Sequence, residues 1–161
     1  LETFRINCWN ILCNQYALET VEKCIEEVFT SNPHNPKHIL VNRNNLLDGL
    51  TARHNPTKKD IVQLQLKYPQ TQGIDDGELH LFAWLYAQNI LPNALILIST
   101  ADKAAITSVG ILGWLDSLIS LEQLLVKAGT TKQKNKQLRQ HYYSNWLNKI
   151  KTTVRLDYSL F

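Results

Sequence analysis

The 161-residue sequence has no methionine, not even at position 1, so a trimmed or shortened chain is expected. It has only six glycines, and none builds a phosphate-binding loop. The closest spacing, "GILG" at 110–113, lacks both the interval and the lysine of a nucleotide cradle. Cysteine is scarce as well: Cys8, Cys13 and Cys24 are an odd number bunched near the start, which argues against a secreted disulfide framework. With His34 or His38 they lack the paired spacing of a structural zinc site and are expected to be core thiols. No apolar run approaches the roughly 20 residues of a membrane span, and no basic stretch precedes a signal-like apolar core. A soluble, cytoplasmic chain is therefore expected.

What is present suits a folded domain. Hydrophobic residues make up 44% of the chain and charged ones 19%, enough apolar surface to offset the entropy of ordering and too little charge for disorder. The length fits a single core of ordinary size. Charge is uneven. Residues 1–130 balance at −3, residues 131–161 at +6. From Thr131 to Arg155 there is no acid, only Lys132, Lys134, Lys136, Arg139, Lys149, Lys151 and Arg155 among polar and aromatic residues. Such a segment is either a phosphate-contacting surface or a solvated helix face.

Periodicity divides the chain into elements. "TVEKCIEEVFT" at 20–30 places Val21, Cys24, Ile25 and Val28 on one helical stripe, with Thr20 as cap. "SNPHNPK" at 31–37 reads as a loop, "HILVN" at 38–42 as a short strand, and "ARHNP" at 52–56 as a helix exit. "TKKDIVQLQLKY" at 57–68 reads as a helix capped by Thr57, with Ile61, Leu64 and Tyr68 inward. Asp75 to Asn89 is a helix apolar on most sides. "ALILIS" at 94–99 has the length and continuity of a parallel strand covered on both faces. "TADKAAITSVGI", capped by Thr100, returns to helix, "DSLIS" gives another strand, and "LEQLLVKAG" a helix closed by Gly129. Alternation of helix and strand predicts right-handed crossovers and a parallel sheet, an α/β fold. The tail reads as one long helix with Leu138, Tyr142, Trp146, Ile150 and Val154 as its stripe. Trp9 and Trp114 read as core, and His80 as a satisfied core histidine.

The stretch "IDDGELHLFAWLYAQN", 74–89, sets three carboxylates before a segment built for burial. Two explanations compete. Asp75 as N-cap with Glu78 at N3 makes a capping box, and acids favour a helix N-terminus. Alternatively, functional groups collect at the carboxyl ends of parallel strands. Asp102, just after "ALILIS", and Asp76 or Glu78 could meet there around a divalent cation. Asp76 is not needed by the cap. Asp116 is explained by turn chemistry as well as by approach to this edge.

"DDGELHLFAWLYA", then an apolar strand, then "STADKAAI" and "ISLEQLLVKAG", with "TVEKCIEEV" upstream, resembles a PIN domain over roughly residues 15–129. The resemblance implies a three-layer α/β/α sandwich with a mostly parallel central sheet over residues 1–129, followed at 130–161 by a basic C-terminal helical extension. It implies a magnesium- or manganese-dependent ribonuclease. Its acids would be Glu27 (or neighbouring Glu26), Asp76, Glu78 and Asp102, with Glu2 standing in for the acid that ends the family's first strand. Here only "LET" precedes Phe4, a departure that leaves a catalytically defective nucleic-acid- or protein-binding module as the alternative. RNA is the implied partner, with Lys132, Lys134, Lys136, Arg139, Lys149 and Lys151 as phosphate contacts. An antitoxin-like protein or a second copy are further candidate partners.

Overall fold

The computed structural model of the protein describes residues 1–30, 39–92 and 95–158. Its helices are α1 (Glu2–Arg5), α2 (Trp9–Gln15), α3 (Glu22–Thr30), α4 (Arg43–Asp48), α5 (Lys58–Lys67), α6 (Asp76–Gln88), α7 (Lys103–Ile111), α8 (Leu121–Lys127), α9 (Lys132–Asn135) and α10 (Ser144–Tyr158). Strand β1 (Glu19–Val21) pairs in parallel with β2 (Ala52–His54), Val21 opposite His54. Short 3₁₀ turns occupy Pro69–Gly73, Leu115–Ser117 and Gln140–Tyr142.

This overturns the expected three-layer α/β/α sandwich. The described residues are mostly helical, and their only sheet has two strands. "ALILIS" is not a covered central strand: Leu95 is 97% exposed, Ile96 and Leu97 also face solvent, and Ile98 alone forms a bridge, parallel, to Leu118. The "DSLIS" partner cannot extend that bridge, because Leu115–Ser117 is wound into a 3₁₀ turn. Apolar burial is supplied by helices packing on helices instead. Of "HILVN", His38 lies outside the described residues, and 39–42 form no strand. Asn42 caps α4, its side chain accepting from the Asn45 N–H at 2.9 Å. "ARHNP" contains β2 rather than a helix exit. The loop expected at 31–37 lies outside the described residues.

Two apolar clusters organise the rest. In the first, α6 is central: Phe82 and Ala83 are fully buried against Leu64, Ile106, Val109 and Leu147 from α5, α7 and α10. In the second, Ile6, Cys8 and Leu12 meet Leu121, Leu124, Leu125 and Leu138. Trp114 is buried as expected, but Trp9 is only half-buried, stacked on Phe4 with its indole N–H donating to the Asn45 carbonyl at 2.9 Å. His80 is half-buried, and its Nδ1 has no hydrogen-bond partner among the described residues, contrary to a satisfied core histidine.

Local signals held where they were short-range. Thr57 caps α5 with a full capping box: its hydroxyl accepts from the Asp60 N–H at 3.2 Å, and the Asp60 carboxylate accepts from the Thr57 N–H at 2.8 Å. Replacing Thr57 by Ala is expected to cost about 1 kcal/mol, a fall in Tm of roughly 2–4 °C readable by circular dichroism. The tail, by contrast, is not one helix. It breaks between α9 and α10 at the Gln140–Tyr142 turn, leaving Leu138 in the second cluster and Leu147 in the first. α10 lies close on α7 at Gly110, where any Cβ would collide with Val154. No helix among the described residues is long and apolar enough to cross a membrane.

Candidate functional site

The acids of "IDDGELHLF" form no capping box. Asp75 is the N-cap residue of α6, yet its side chain accepts no N–H from that helix. One N–H of that first turn is claimed from elsewhere: Glu27 on α3 accepts the Gly77 N–H at 2.8 Å, across 50 residues. A helix N-terminus leaves four N–H groups unsatisfied, so a carboxylate there is stabilised by both hydrogen bonding and dipole. Glycine at 77 lets this carboxylate come close: a Cβ there would strike the Glu27 carboxylate, displacing it from the Gly77 N–H, and touch Cys24 Sγ at 3.0 Å. Glu26 points away into a surface pair with Lys23 at 3.2 Å. Of the two neighbours, Glu27 is therefore the one at the site.

Asp102, not Thr100, caps α7, accepting the Ala105 N–H on Oδ1 at 2.8 Å. Glu78 is half-buried between these groups. Burial pushes its carboxyl above the ordinary value; a hydrogen bond from its own backbone opposes this, and the charges of Asp102, Asp75 and Glu27 add to the rise. Acids from α3, α6 and the start of α7 thus gather within electrostatic reach. Cys24 beside them is pushed up to about 11, chiefly by burial, with Glu78 and Glu27 contributing. Asp75 and Asp76 stay exposed at the start of α6.

Glu2 does not join this group. It is 2% exposed and tied to the tail: Arg5 and Arg139 pair with its carboxylate, the Arg139 pair at 3.7 Å, and the Arg139 backbone N–H donates to it at 2.9 Å. Burial raises its carboxyl, but those hydrogen bonds and charges outweigh it and hold the group below the ordinary range. Asp116 is also elsewhere, paired with Arg155 at 2.6 Å.

Carboxylate oxygens are the donors that hard cations such as magnesium and manganese take, and repulsion around Glu78 is what a cation would relieve. The chemistry of the donor set fits. Among the described residues, however, no three His, Cys, Asp or Glu side chains stand close enough to hold a metal ion as they are. Glu27 and Asp102 each spend one oxygen on a helix terminus.

Glu78 and Asp102 open on a cavity of about 940 Å³ between the two apolar clusters. Its wall includes a pair absent from the expected site residues: the imidazole of His54 stacks on the indole of Trp84, 3.7 Å between centroids and 14° between planes. His54 Nε2 lies 2.7 Å from Glu19 Oε2. No local signal could have joined residues 30 apart on β2 and α6.

The basic tail is divided. Arg139 serves Glu2, Arg155 serves Asp116, and Lys151 is half-buried with Nζ 3.5 Å from the Leu118 carbonyl. Burial is the main cause that lowers the Lys151 amine. Lys132, Lys136 and Lys149 are exposed, and Lys134 is half-exposed. Tyr142 and Trp146 pack against the clusters. No family model, no curated protein and no solved structure matches the chain.

Proposed function

We propose that this chain hydrolyses RNA phosphodiester bonds with the help of magnesium or manganese, in the cytoplasm. The observation that carries the reading is the approach of Glu27, Glu78 and Asp102, remote in sequence, to one another: Glu78 and Asp102 line one cavity, and Glu78 is pushed up by burial, with the charges of Asp102, Asp75 and Glu27 adding to the rise. RNA as substrate rests on the resemblance of these same segments to PIN domains. Glu27, Glu78 and Asp102 would hold the cation, with Asp75 and Asp76 at the start of α6. A bound cation supplies Lewis acidity toward the phosphate and acidifies water. The chain's own acids fix that charge in place, and the α6 and α7 termini orient Glu27 and Asp102. Exposed Lys132, Lys136 and Lys149 offer phosphate contacts.

The test is cleavage of a mixed RNA pool by the purified chain. Cleavage is expected in manganese, with 5′-phosphate ends, and should stop on chelation. RNA left intact across magnesium and manganese concentrations removes the proposal. A second reading, binding without catalysis, is favoured by one observation: the stand-in acid Glu2 is consumed by Arg5 and Arg139. It predicts salt-sensitive, cation-independent RNA binding instead.

A further inference from the structure

The proposed hydrolysis leaves His54 and Trp84 unused, although both line the cavity that Glu78 and Asp102 open on. Their rings lie face to face, and Glu19 fixes the imidazole from its outer nitrogen. Each comes from a firmly placed element. His54 sits in the parallel ladder opposite Val21, and Trp84 follows fully buried Phe82 and Ala83 on α6. Trp84 is six residues beyond Glu78, about 9 Å along the helix axis.

The same cavity is lined by aliphatic side chains as well, Ile25, Val28 and Leu81 among them. A flat aromatic surface in a cavity with aliphatic lining favours a flat, weakly hydrated ring system, and every nucleobase presents such a face. The cavity volume falls in the range of small-molecule sites. We infer that the cavity seats one unpaired nucleobase against the His54–Trp84 pair while its phosphate lies toward Glu78 and Asp102. The phosphate end rests on the proposed hydrolysis; the base seat stands on the aromatic pair alone.

The experiment compares two uncleavable probes, adenosine 5′-monophosphate and ribose 5-phosphate, titrated separately into the full chain in manganese buffer and followed by calorimetry and tryptophan fluorescence. They share sugar and phosphate and differ by the base. The nucleotide is expected to bind about 5- to 100-fold more tightly, and Trp84→Leu to erase that preference. His54→Ala serves as the second variant if Trp84→Leu fails to fold. Equal affinities for the two probes, or a preference that survives both variants, would overturn the seat. RNA cleavage is measured on the same preparation. Cleavage with equal probe affinities keeps the hydrolysis and removes the seat, and a Trp84-dependent preference without cleavage keeps the seat and removes the hydrolysis.

Discussion

Glu78→Gln is expected to lower manganese-dependent cleavage by about 100-fold or more while raising the melting temperature. Loss of even an outer partner of a metal site costs roughly 10–100-fold, and removing a proposed ligand should cost at least as much. The stability effect has the opposite sign. The folded-state carboxyl is raised by burial and by Asp102, Asp75 and Glu27, so the folded protein binds this proton more tightly than the unfolded chain does. Ionisation therefore costs stability as pH rises through the unfolded and then the folded value. Glutamine keeps the shape without the charge, and a gain of about 0.5–2 kcal/mol is expected at neutral pH, read as a higher Tm. Asp102→Asn supplies the companion result. Asparagine caps helices as well as aspartate does, so the bond to the Ala105 N–H survives while the charge is lost. Stability should stay nearly constant and cleavage should fall as for Glu78→Gln. Wild-type cleavage by both variants would remove the acids from the chemistry.

The second large effect concerns Glu2. Its carboxylate is buried and held by Arg5 and Arg139. Breaking a buried pair by deleting one partner costs about 3–5 kcal/mol. Both guanidiniums here are partly exposed and would rehydrate, so Glu2→Ala belongs at the lower end, about 3 kcal/mol, a fall in Tm of roughly 6–12 °C. Glu2→Gln, which keeps an acceptor for the Arg139 N–H, should lose less. Because the folded carboxyl is held below its ordinary range, its contribution is complete above the unfolded value and is lost as pH falls through the folded one. Wild type should therefore destabilise more steeply than Glu2→Gln below the carboxylate range, as measured by melting temperature against pH. Parallel curves would contradict this account.

Legibility followed the reach of each interaction. The Thr57 cap acts over three residues and was readable in the sequence, though not the full box that Asp60 completes, and the all-round apolar pattern of 79–86 correctly marked α6 as a core helix. The same spacing misled at Asp75 and Glu78: the Asp75 side chain takes no N–H of the helix, and a carboxylate from another helix, Glu27, accepts from the Gly77 N–H instead. "ALILIS" shows the limit of hydrophobicity as a signal: a short apolar run states that burial is wanted, not which partner provides it. Here a single bridge at Ile98 is all the pairing that forms among the described residues. The gathering of Glu78 and Asp102 was anticipated, but from a sheet edge. It arises instead from helix starts turned toward one cavity. His54 with Trp84, and Glu2 with Arg139, depend on long-range contact and left no trace in local pattern.

The joining of Glu2 to Arg139, and of Ile6, Cys8 and Leu12 to Leu121, Leu125 and Leu138, bears on how the chain is made. A ribosome delivers these partners more than a hundred residues after the groups that await them. Until then α1 and α2 present bare apolar side chains to solvent, and closing so long a loop slows the final docking. During synthesis, α1 and α2 emerge well before the segments that cover them, and uncovered apolar surface of that kind is where wrong association begins.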